Sequence, residues 1–483
     1  MIMENRTLFF GDNLQVIEER IPDNFFDLIY LDPPFNSNRN YNVLFKEGLV
    51  DSKAQIGAFE DTWEWTPSTK KLFDELMENS NPQISILMNS LYEIIGPNPM
   101  MAYLVNMTAR LIPLRRVLKE TGSIYLHSDP TASHYLKIIL DVVFGKQNFQ
   151  NEIIWCYRGG GSSKKDFGKR HDVIFRYSKT GDYSFYPDPI RIPYQAEGIG
   201  RKDDAMWGKH RGTDKVYKPN PLGKIPEDWW PINVLNANDP ERLGYPTQKP
   251  EELLERIIKA SSKEDDWILD PFCGCGTTVA VAEKLGRNWI GIDISMQAVN
   301  VIGERMKHHY PGIKINIDGI PMDFESAEAL AEKDKFAFQD WGISLIGANP
   351  PSGQSKKGAD RGIDGIILFR DKSDYANPKL RKIVVQVKGG GVNRGDIAKL
   401  KGDIEREDAP MGILITLREP TAEMKREASL AGEYKYTEDT SFPRIQILSI
   451  HDWFDGKEVK IPSDKINPFK KAKPKSDQLS LID

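Results

Sequence analysis

An apolar run at residues 26–31 is followed at once by Asp32-Pro33-Pro34-Phe35. A short apolar run bounded by turn formers predicts a buried strand of an α/β sheet, and folds of that class place their chemistry at the carboxyl ends of strands. The two prolines fix the backbone and carry no N–H, which leaves the carbonyls of the loop free to accept hydrogen bonds. Asp32 and Pro33 therefore offer two acceptors for an exocyclic amine, and Phe35 offers a ring on which a planar base can stack.

Length and composition restrict the classes of protein to which the chain can belong. With 483 residues, 40% of them hydrophobic and 28% charged, it has ample material for more than one globular domain. No apolar stretch reaches membrane-spanning length and the amino terminus lacks the layout of a signal peptide, so we expect a cytoplasmic protein with no membrane partner. The three cysteines, Cys156, Cys273 and Cys275, form neither a disulfide framework nor a four-ligand zinc pattern.

Further segments repeat the alternation of strand and helix. Short apolar runs predict strands at residues 6–12 and 123–127, and more strands at 152–155 and 172–177. Between residues 45 and 118 apolar side chains recur three or four positions apart, which predicts helices. The order strand, helix, strand, helix, strand is typical of a parallel sheet.

Residues 156–224 differ in character from the rest of the chain. Glycines cluster there, prolines and aromatic residues interleave, and fifteen Lys or Arg stand against eight Asp or Glu, a net charge of +7 in a chain whose formal net charge is −5. Such a segment is expected to contact nucleic-acid phosphates, and a long solvated loop is the alternative. The candidate DNA-binding residues are Lys164, Lys165, Lys169 and Arg170.

A second anchor lies at residues 267–293. A strand that ends at Asp270 is followed by a turn containing Gly274 and Gly276, an alanine-rich helix and another strand that ends at Asp293. This arrangement makes a nucleotide-binding βαβ unit, in which glycines let the backbone approach the ligand and the terminal acid binds ribose hydroxyls. The glycine spacing departs from the dinucleotide pattern, so an adenosyl ligand without phosphate fits better than NAD.

Three motifs in this order resemble those of the S-adenosylmethionine-dependent DNA amino-methyltransferases of the β arrangement. They are Asp32-Pro33-Pro34-Phe35, Tyr245-Pro246-Thr247-Gln248-Lys249-Pro250 and the turn after Asp270. In that family the catalytic motif precedes the cofactor motif, target recognition lies between them, and the target base is flipped out of the helix. The resemblance covers about residues 6–317 and implies a Rossmann-like sheet with a circularly permuted motif order. Tyr245 stands where histidine is common and Phe35 where tyrosine is common, and neither change removes a needed chemical group.

The resemblance also implies roles for single residues. The catalytic residues would be Asp32, Pro33, Pro34 and Phe35. The cofactor-binding residues would be Asp270, Phe272, Gly274, Gly276 and Asp293, with Thr247 and Lys249 close by. The implied cofactor is S-adenosylmethionine and the implied substrate is double-stranded DNA, with no metal required for the transfer. Aspartate rather than serine at position 32 favours N6 of adenine, whereas N4 of cytosine stays open because both amines suit the same acceptors.

A different pattern begins after residue 318. A glycine-rich turn ends at Asp364, and a following strand ends in Gln386-Val387-Lys388. Residues two apart share a face of a strand, so these polar side chains are expected at one edge of a sheet. The pattern resembles the Mrr-like group of PD-(D/E)xK restriction endonucleases, in which glutamine replaces the second acid. The resemblance implies that Asp364 and Gln386 hold Mg²⁺ and that Lys388, a catalytic residue, orients or activates the attacking water.

The sequence therefore predicts two α/β domains, the second of restriction-endonuclease type. The expected boundaries are a methyltransferase domain at 1–320 with a target-recognition segment at 156–245, a connecting helix at 321–335, an Mrr-like nuclease domain at 336–462 and a disordered tail at 463–483. The expected function is site-specific adenine methylation coupled to Mg²⁺-dependent cleavage in restriction–modification. The alternative is a cytosine-N4 methyltransferase whose C-terminal domain is an inert DNA-binding module.

The end of the tail carries one more pattern. Gln478, Leu479 and Leu481 resemble the short peptide by which bacterial proteins dock on the replication sliding clamp, since two leucines can fill apolar pockets while the amide bonds at the rim. The sequence leaves the oligomeric state open, with a homodimer as one option.

Overall fold

The computed structural model of the chain describes residues 3–35, 40–44, 55–60, 63–159, 165–194, 220–236, 238–245, 247–351, 362–372 and 379–466. A nine-stranded sheet and a four-stranded sheet organise these residues. In this part of the chain no helix combines the length and the hydropathy needed to cross a bilayer.

Nine strands between residues 7 and 318 form the larger sheet. They are β1 (Thr7–Phe10), β2 (Phe26–Leu31), β5 (Leu118–Ser128), β6 (Phe149–Cys156), β7 (His171–Ser178), β8 (Trp229–Pro231), β9 (Trp267–Asp270), β10 (Asn288–Asp293) and β11 (Asn316–Asp318). Their order in space is β11-β1-β10-β9-β2-β5-β7-β6-β8. The strands from β11 to β5 are parallel, and β7 runs antiparallel to both β5 and β6. The predicted α/β sheet is therefore confirmed for this unit.

Helices cover both faces of this sheet. They are α1 (Asn13–Arg20), α2 (Pro67–Asn79), α3 (Pro82–Ile95), α4 (Pro99–Val117), α5 (Ser133–Leu140), α6 (Glu251–Ser261), α7 (Thr277–Lys284) and α8 (Met296–His309). Successive residues of β2 point to opposite faces, so Leu28 packs in the core beneath α6, α7 and α8, whereas Ile29 packs in the core beneath α1, α4 and α5. Burial on both sides explains why the sequence of β2 is a continuous apolar run.

The prediction of helices between residues 45 and 118 is wrong at residues 55–60, and residues 45–54 lie outside the described residues. β4 (Gln55–Glu60) pairs antiparallel with β3 (Asn40–Leu44), and α2 begins only at Pro67. Gly57 lowers helix propensity, and Ile56 and Phe59 are residue types that favour a pleated surface. Local composition therefore overrides the longer apolar pattern.

A second unit follows two helices, α9 (Phe324–Lys333) and α10 (Lys335–Ser344). Its sheet has the order β12-β13-β14-β17, formed by β12 (Gly365–Asp371), β13 (Lys379–Lys388), β14 (Met411–Thr416) and β17 (Ile445–Ser449). The remaining elements are α11 (Arg394–Arg406), α12 (Ala422–Leu430), the hairpin of β15 (Glu433–Lys435) and β16 (Ser441–Pro443), and α13 (Ile450–Phe454). α10 packs on one face of this sheet and α11 on the other.

Residues 463–466, which the sequence assigned to a disordered tail, are described, and two of them bond to β12. The Ile466 N–H donates to the Leu368 carbonyl at 2.9 Å, and Lys465 bridges to Phe369 of β12. β12 is an edge strand, and the chain that leaves the domain satisfies backbone groups which the edge would otherwise expose. The residues of the clamp-like peptide, Gln478, Leu479 and Leu481, lie outside the described residues.

Candidate active site

Asp32 follows β2 at the carboxyl edge of the larger sheet, as predicted. β2 lies between β9 and β5, where Ile29 is in register with Leu269 and Leu31 with Leu126. Parallel strands in this register bring Asp32 to the same edge as Asp270 and next to His127. The two motifs that lie farthest apart in this part of the sequence therefore meet at one end of the sheet.

Lys249 binds Asp32. Its ammonium donates to Asp32 Oδ2, and the two side chains are only 10% and 18% exposed. The same ammonium lies 5.4 Å from the centre of the Phe35 ring, within range of a cation–π interaction. The sequence predicted that Lys249 lies close to the cofactor, and in the structure its ammonium pairs with the Asp32 carboxylate. This pair fixes the direction in which Asp32 presents its other oxygen.

His127 is fully buried next to Asp32, and the sequence analysis gave it no role. Its Nδ1 lies 3.0 Å from the Tyr30 hydroxyl and 3.7 Å from Asp32 Oδ1, and its Nε2 lies 3.1 Å from Asp172 Oδ2. Burial raises the pKa of Asp172, but the hydrogen bond and charge of His127 outweigh it and lower the pKa overall. Burial and then the charge of Asp32 raise the pKa of Tyr30 well above its ordinary value. The Tyr30 hydroxyl therefore keeps its proton, and the His127 ring links Tyr30 at Nδ1 to Asp172 at Nε2.

The rest of the Asp32 loop is held by aromatic side chains. The Phe35 ring lies 5.4 Å from the His127 ring, and Trp63 donates from Nε1 to the Pro34 carbonyl at 3.1 Å. Pro33 is buried, while Pro34 and Phe35 remain partly accessible. Trp63 and His127 therefore hold the loop in place, and the Phe35 ring stays partly accessible.

The predicted cofactor turn follows β9. Asp270 is 3% exposed and accepts a hydrogen bond from the Phe272 N–H at 3.0 Å. Gly274 and Gly276 both have positive φ, at 51° and 74°, which explains the need for glycine. A Cβ on Gly274 would meet only the Tyr245 ring, at 3.7 Å, whereas a Cβ on Gly276 would lie 2.7 Å from Ile302. A side chain at Gly274 would therefore meet the Tyr245 ring only at van der Waals distance, and Gly276 allows α8 to pack closely.

Asp293 ends β10 and closes the turn from the other side. Its Oδ2 accepts the Gly274 N–H at 2.7 Å and its Oδ1 accepts the Ser295 N–H at 2.8 Å. Burial raises the pKa of Asp293 to about 6, and burial raises the pKa of Asp270 to about 7. Two partly neutralised acids thus flank one cleft, which is typical of a functional site.

The segment before α6 crosses the mouth of this cleft. The Tyr245 ring is buried beside Cys275 and Val301, and Gln248 clamps the segment by donating to the Glu241 carbonyl at 2.7 Å. Thr247 adopts a φ of 62°, a strained backbone for a β-branched residue. Pro246 lies outside the described residues.

The basic residues lie in the loop between β6 and β7. β7 starts beside the end of β5, since Val173 is in register with Ser128, so this loop emerges at the same edge as Asp32. Lys169 is 87% exposed. Lys165 is exposed too, and Arg170 is partly buried. Lys164 lies outside the described residues.

The predicted metal residues of the second unit lie at neighbouring strand ends. Asp364 Oδ2 accepts the Val387 N–H at 2.7 Å. Gln386 is fully buried and donates from Nε2 to Asp403 of α11, whose other oxygen pairs with Arg406 at 2.6 Å. Among the described residues there is no group of three or more His, Cys, Asp or Glu able to hold a metal ion.

Residues 26–304, more than half of the chain, match the family model of the N6/N4 type described as DNA methylase. The chain belongs to this DNA methylase family. Residues 352–441 match a second model, described as NACHT-associated inactive Restriction Endonuclease 1. That match includes Asp364 and Gln386, and it applies only to residues 352–441.

Several curated proteins resemble this DNA methylase. The type II methyltransferase M.BglII of Bacillus subtilis is 34% identical over 212 residues, which are 42% of this chain and 56% of that protein. M1.MboII of Moraxella bovis is 34% identical over 192 residues, 38% of this chain and 71% of that protein. The DNA adenine methyltransferase YhdJ of Escherichia coli K12 is 28% identical over 304 residues, 62% of this chain and 81% of that protein. The chain therefore spans little more than half the length of the first of these relatives.

Replacement of Asp270 by asparagine is expected to change how stability depends on pH. An acid whose pKa is raised by folding, here from 3.8 to about 7, destabilises the folded chain as pH rises through that interval. Asp270→Asn keeps an oxygen for the Phe272 N–H but cannot ionise. The free energy of unfolding of wild type should therefore fall by about 2 to 3 kcal/mol more than that of the variant when the pH is raised from 5 to 8. Urea unfolding followed by tryptophan fluorescence at both pH values measures these free energies. An equal change in wild type and variant between the two pH values would refute the prediction.

Proposed function

We propose that the chain is a DNA methyltransferase that transfers a methyl group from S-adenosylmethionine to an exocyclic amine of a flipped base in double-stranded DNA. The carrying observation is the meeting of the Asp32 loop and the Asp270–Asp293 cleft at one edge of the sheet. The family match and the type II methyltransferases among the relatives support the same activity and a role in restriction–modification.

The residues of the cleft fit an adenosyl cofactor. Gly274 keeps side-chain atoms off the turn, so the backbone can approach a ligand, and Asp293 lies at the strand end where an acid binds ribose hydroxyls. Asp270, Phe272 and Gly276 would complete the binding surface. When bound, S-adenosylmethionine supplies a methyl group activated as a sulfonium.

The residues at Asp32 would prepare the amine. Asp32 Oδ1 and the Pro33 carbonyl would accept its two N–H groups, and the Phe35 ring would stack on the base. Lys249 holds Oδ2, so the carboxylate cannot turn away when the amine arrives. The proton that the amine releases has Asp32 as its first acceptor, and His127 lies 3.7 Å behind that oxygen. Held reactants of this kind gain much of their rate from orientation alone.

Adenine N6 is the proposed target. Aspartate at position 32 rather than serine favours it, and the relative named a DNA adenine methyltransferase aligns over 62% of this chain. Cytosine N4 is the second candidate, because the family includes both types. Mass spectrometry of nucleosides from DNA methylated by the pure protein separates N6-methyladenine from N4-methylcytosine.

Loss of the Asp32 carboxylate is expected to abolish transfer without abolishing cofactor binding. In Asp32→Ala the initial rate should fall by about a hundredfold or more, the scale at which loss of one preorganised polar partner acts. Transfer of labelled methyl groups to DNA measures the rate, and calorimetry measures binding of S-adenosylmethionine.

The matched control for this substitution is Asp129→Asn. Asp129 also follows a strand of the same sheet, but it closes the turn before α5 by accepting the Ala132 N–H at 3.1 Å, a role that asparagine fills equally well. Asp129→Asn should therefore keep its activity. Full activity in Asp32→Ala would overturn the proposed site.

The loop between β6 and β7 is proposed to contact DNA phosphates. Its place at the edge of Asp32 would put Lys165, Lys169 and Arg170 beside a bound duplex. Each phosphate contact that is removed should lower the slope of log K against log salt by about 0.9. The triple substitution to glutamine should therefore weaken binding most at low salt, as measured by fluorescence anisotropy. An unchanged slope would exclude these residues from the DNA interface.

For the second unit we propose DNA binding without cleavage. Gln386 donates from Nε2 to Asp403 of α11, and the described residues contain no group of three or more His, Cys, Asp or Glu able to hold a metal ion, so the Mg²⁺ prediction gains no support. The likeness of residues 352–441 to an inactive restriction endonuclease agrees with this proposal. An active nuclease, as the sequence alone suggested, is the second candidate.

Incubation of the pure protein with unmethylated plasmid and Mg²⁺ decides between the two. We expect DNA to be bound in a gel-shift assay and to remain intact. Cleavage by wild type that is lost in Lys388→Ala would show a nuclease and overturn the proposal. Equal cleavage by wild type and Lys388→Ala would indicate a contaminating nuclease. Repurification of the Lys388→Ala protein is the control, because a contaminant would then be removed.

A further inference from the structure

α10 connects the proposed cofactor cleft to the second unit. Asp340 of α10 accepts the Met296 N–H at 2.6 Å, at the first residue of α8. This amide lies three residues after Asp293, the acid at the cleft. Alongside burial, the charge of Asp340 raises the pKa of Asp293, and it also raises the pKa of Tyr245. An acid from outside the methylase match therefore acts on both sides of the cleft.

A second bond follows the first by one residue. Gln297 of α8 donates from Nε2 to Asn349 Oδ1 at 3.0 Å. The backbone of Asn349 forms a two-bond bridge with Ile366 of β12, at 2.8 and 2.9 Å. The first turn of α8 is thus bonded both to α10 and, through Asn349, to the smaller sheet.

The other side of α10 lies flush on the smaller sheet. A Cβ on Gly342 would lie 2.9 Å from Val387 Cγ1, and a Cβ on Gly365 would lie 2.9 Å from Ile343 Cγ2. The neighbours Val387 and Ile343 are β-branched and restricted at χ1, so these side chains cannot easily move to accommodate a displacement of α10. A shift of α10 would therefore move the strand ends that carry Asp364, Gln386 and Lys388.

We infer that Asp340 is a positioning residue for the cofactor cleft, and that cofactor binding is coupled through Asp340 and Asn349 to the order of the smaller sheet. The identity of the ligand rests on the proposed function. A ligand that fixes Asp293 and the first turn of α8 also fixes Met296 and Gln297, and hence the two groups that bond to them. The coupling is reciprocal, so loosening the smaller sheet should weaken cofactor binding.

Hydrogen–deuterium exchange of the full chain with and without S-adenosylmethionine tests the coupling. In wild type the cofactor should slow exchange at residues 270–299 and also in β12 and β13. In the double variant Asp340→Ala, Asn349→Ala the protection of β12 and β13 should be lost, and the Kd from calorimetry should rise by about tenfold, as expected for loss of a charge-assisted hydrogen bond.

Two further variants separate positioning from folding. Asp340→Asn keeps an oxygen for the Met296 N–H and should recover the protection of β12 and β13, a rescue that loss of stability alone would not give. Glu332→Gln changes an exposed acid on the neighbouring helix α9 and should behave as wild type.

The possible results of these experiments test the coupling, the roles of Asp340 and Asn349, and the proposed function separately. Cofactor protection confined to residues 270–299 in wild type, with β12 and β13 unchanged, would overturn the coupling and leave the proposed function intact. Equal protection of β12 and β13 in wild type and in the double variant would overturn the roles of Asp340 and Asn349. Failure of wild type to bind S-adenosylmethionine would overturn the proposed function, and the inference with it.

Discussion

The parallel register of three central strands is the constraint on which the proposed site depends. β2 is hydrogen-bonded to β5 on one side and to β9 on the other, although β9 belongs to a much later part of the sequence. Each strand has a run of buried apolar residues that fixes which way it faces, and a slip of one residue would turn those side chains to the wrong face. Asp32, His127 and Asp270 follow from that register, because each is the residue at or just beyond the buried end of its strand.

The site concentrates carboxylates where burial opposes their charge. Asp270 and Asp293 respond with pKa values raised to about 7 and about 6, whereas Asp172 keeps its charge beside His127. Lys249 meets Asp32 in the same small volume. Unpaired buried charge destabilises a fold, so an arrangement of this kind persists only where surrounding packing is strong and the acids have a use. The apolar core under β2 and β10 supplies that packing.

Contiguous motifs were predictable from the sequence, and pairings across strands were not. Asp32, Asp270 and Asp293 each follow an apolar run directly, so their place at strand ends could be read from local pattern. Asp172 belongs to a strand whose antiparallel partner cannot be known without the fold, and its bond to His127 was therefore missed.

The remaining differences have the same origin. The position of His127 after an apolar strand was visible, but nothing in the sequence showed that its ring would lie behind Asp32. The resemblance implied a place for Lys249 near the cofactor, and its pairing with Asp32 could not be predicted because it depends on side-chain reach across the sheet edge. Gln386 was expected to face a metal, but the helix that covers its face, α11, brings Asp403 against it.

The two units share one hydrophobic core rather than meeting at a thin interface. Val279 and Ile302 of the methylase unit, Phe338 and Trp341 of α10, and Val387 of the smaller sheet belong to one continuous buried cluster. α10 has too many apolar residues to be a solvated linker, since one side covers β13 while Asp340 on the same helix reaches α8. A helix held from both sides transmits displacement because a close-packed core does not deform continuously. The sequence predicted a connecting helix at 321–335 and assigned the residues of α10 to the second domain, whereas α10 packs against both units.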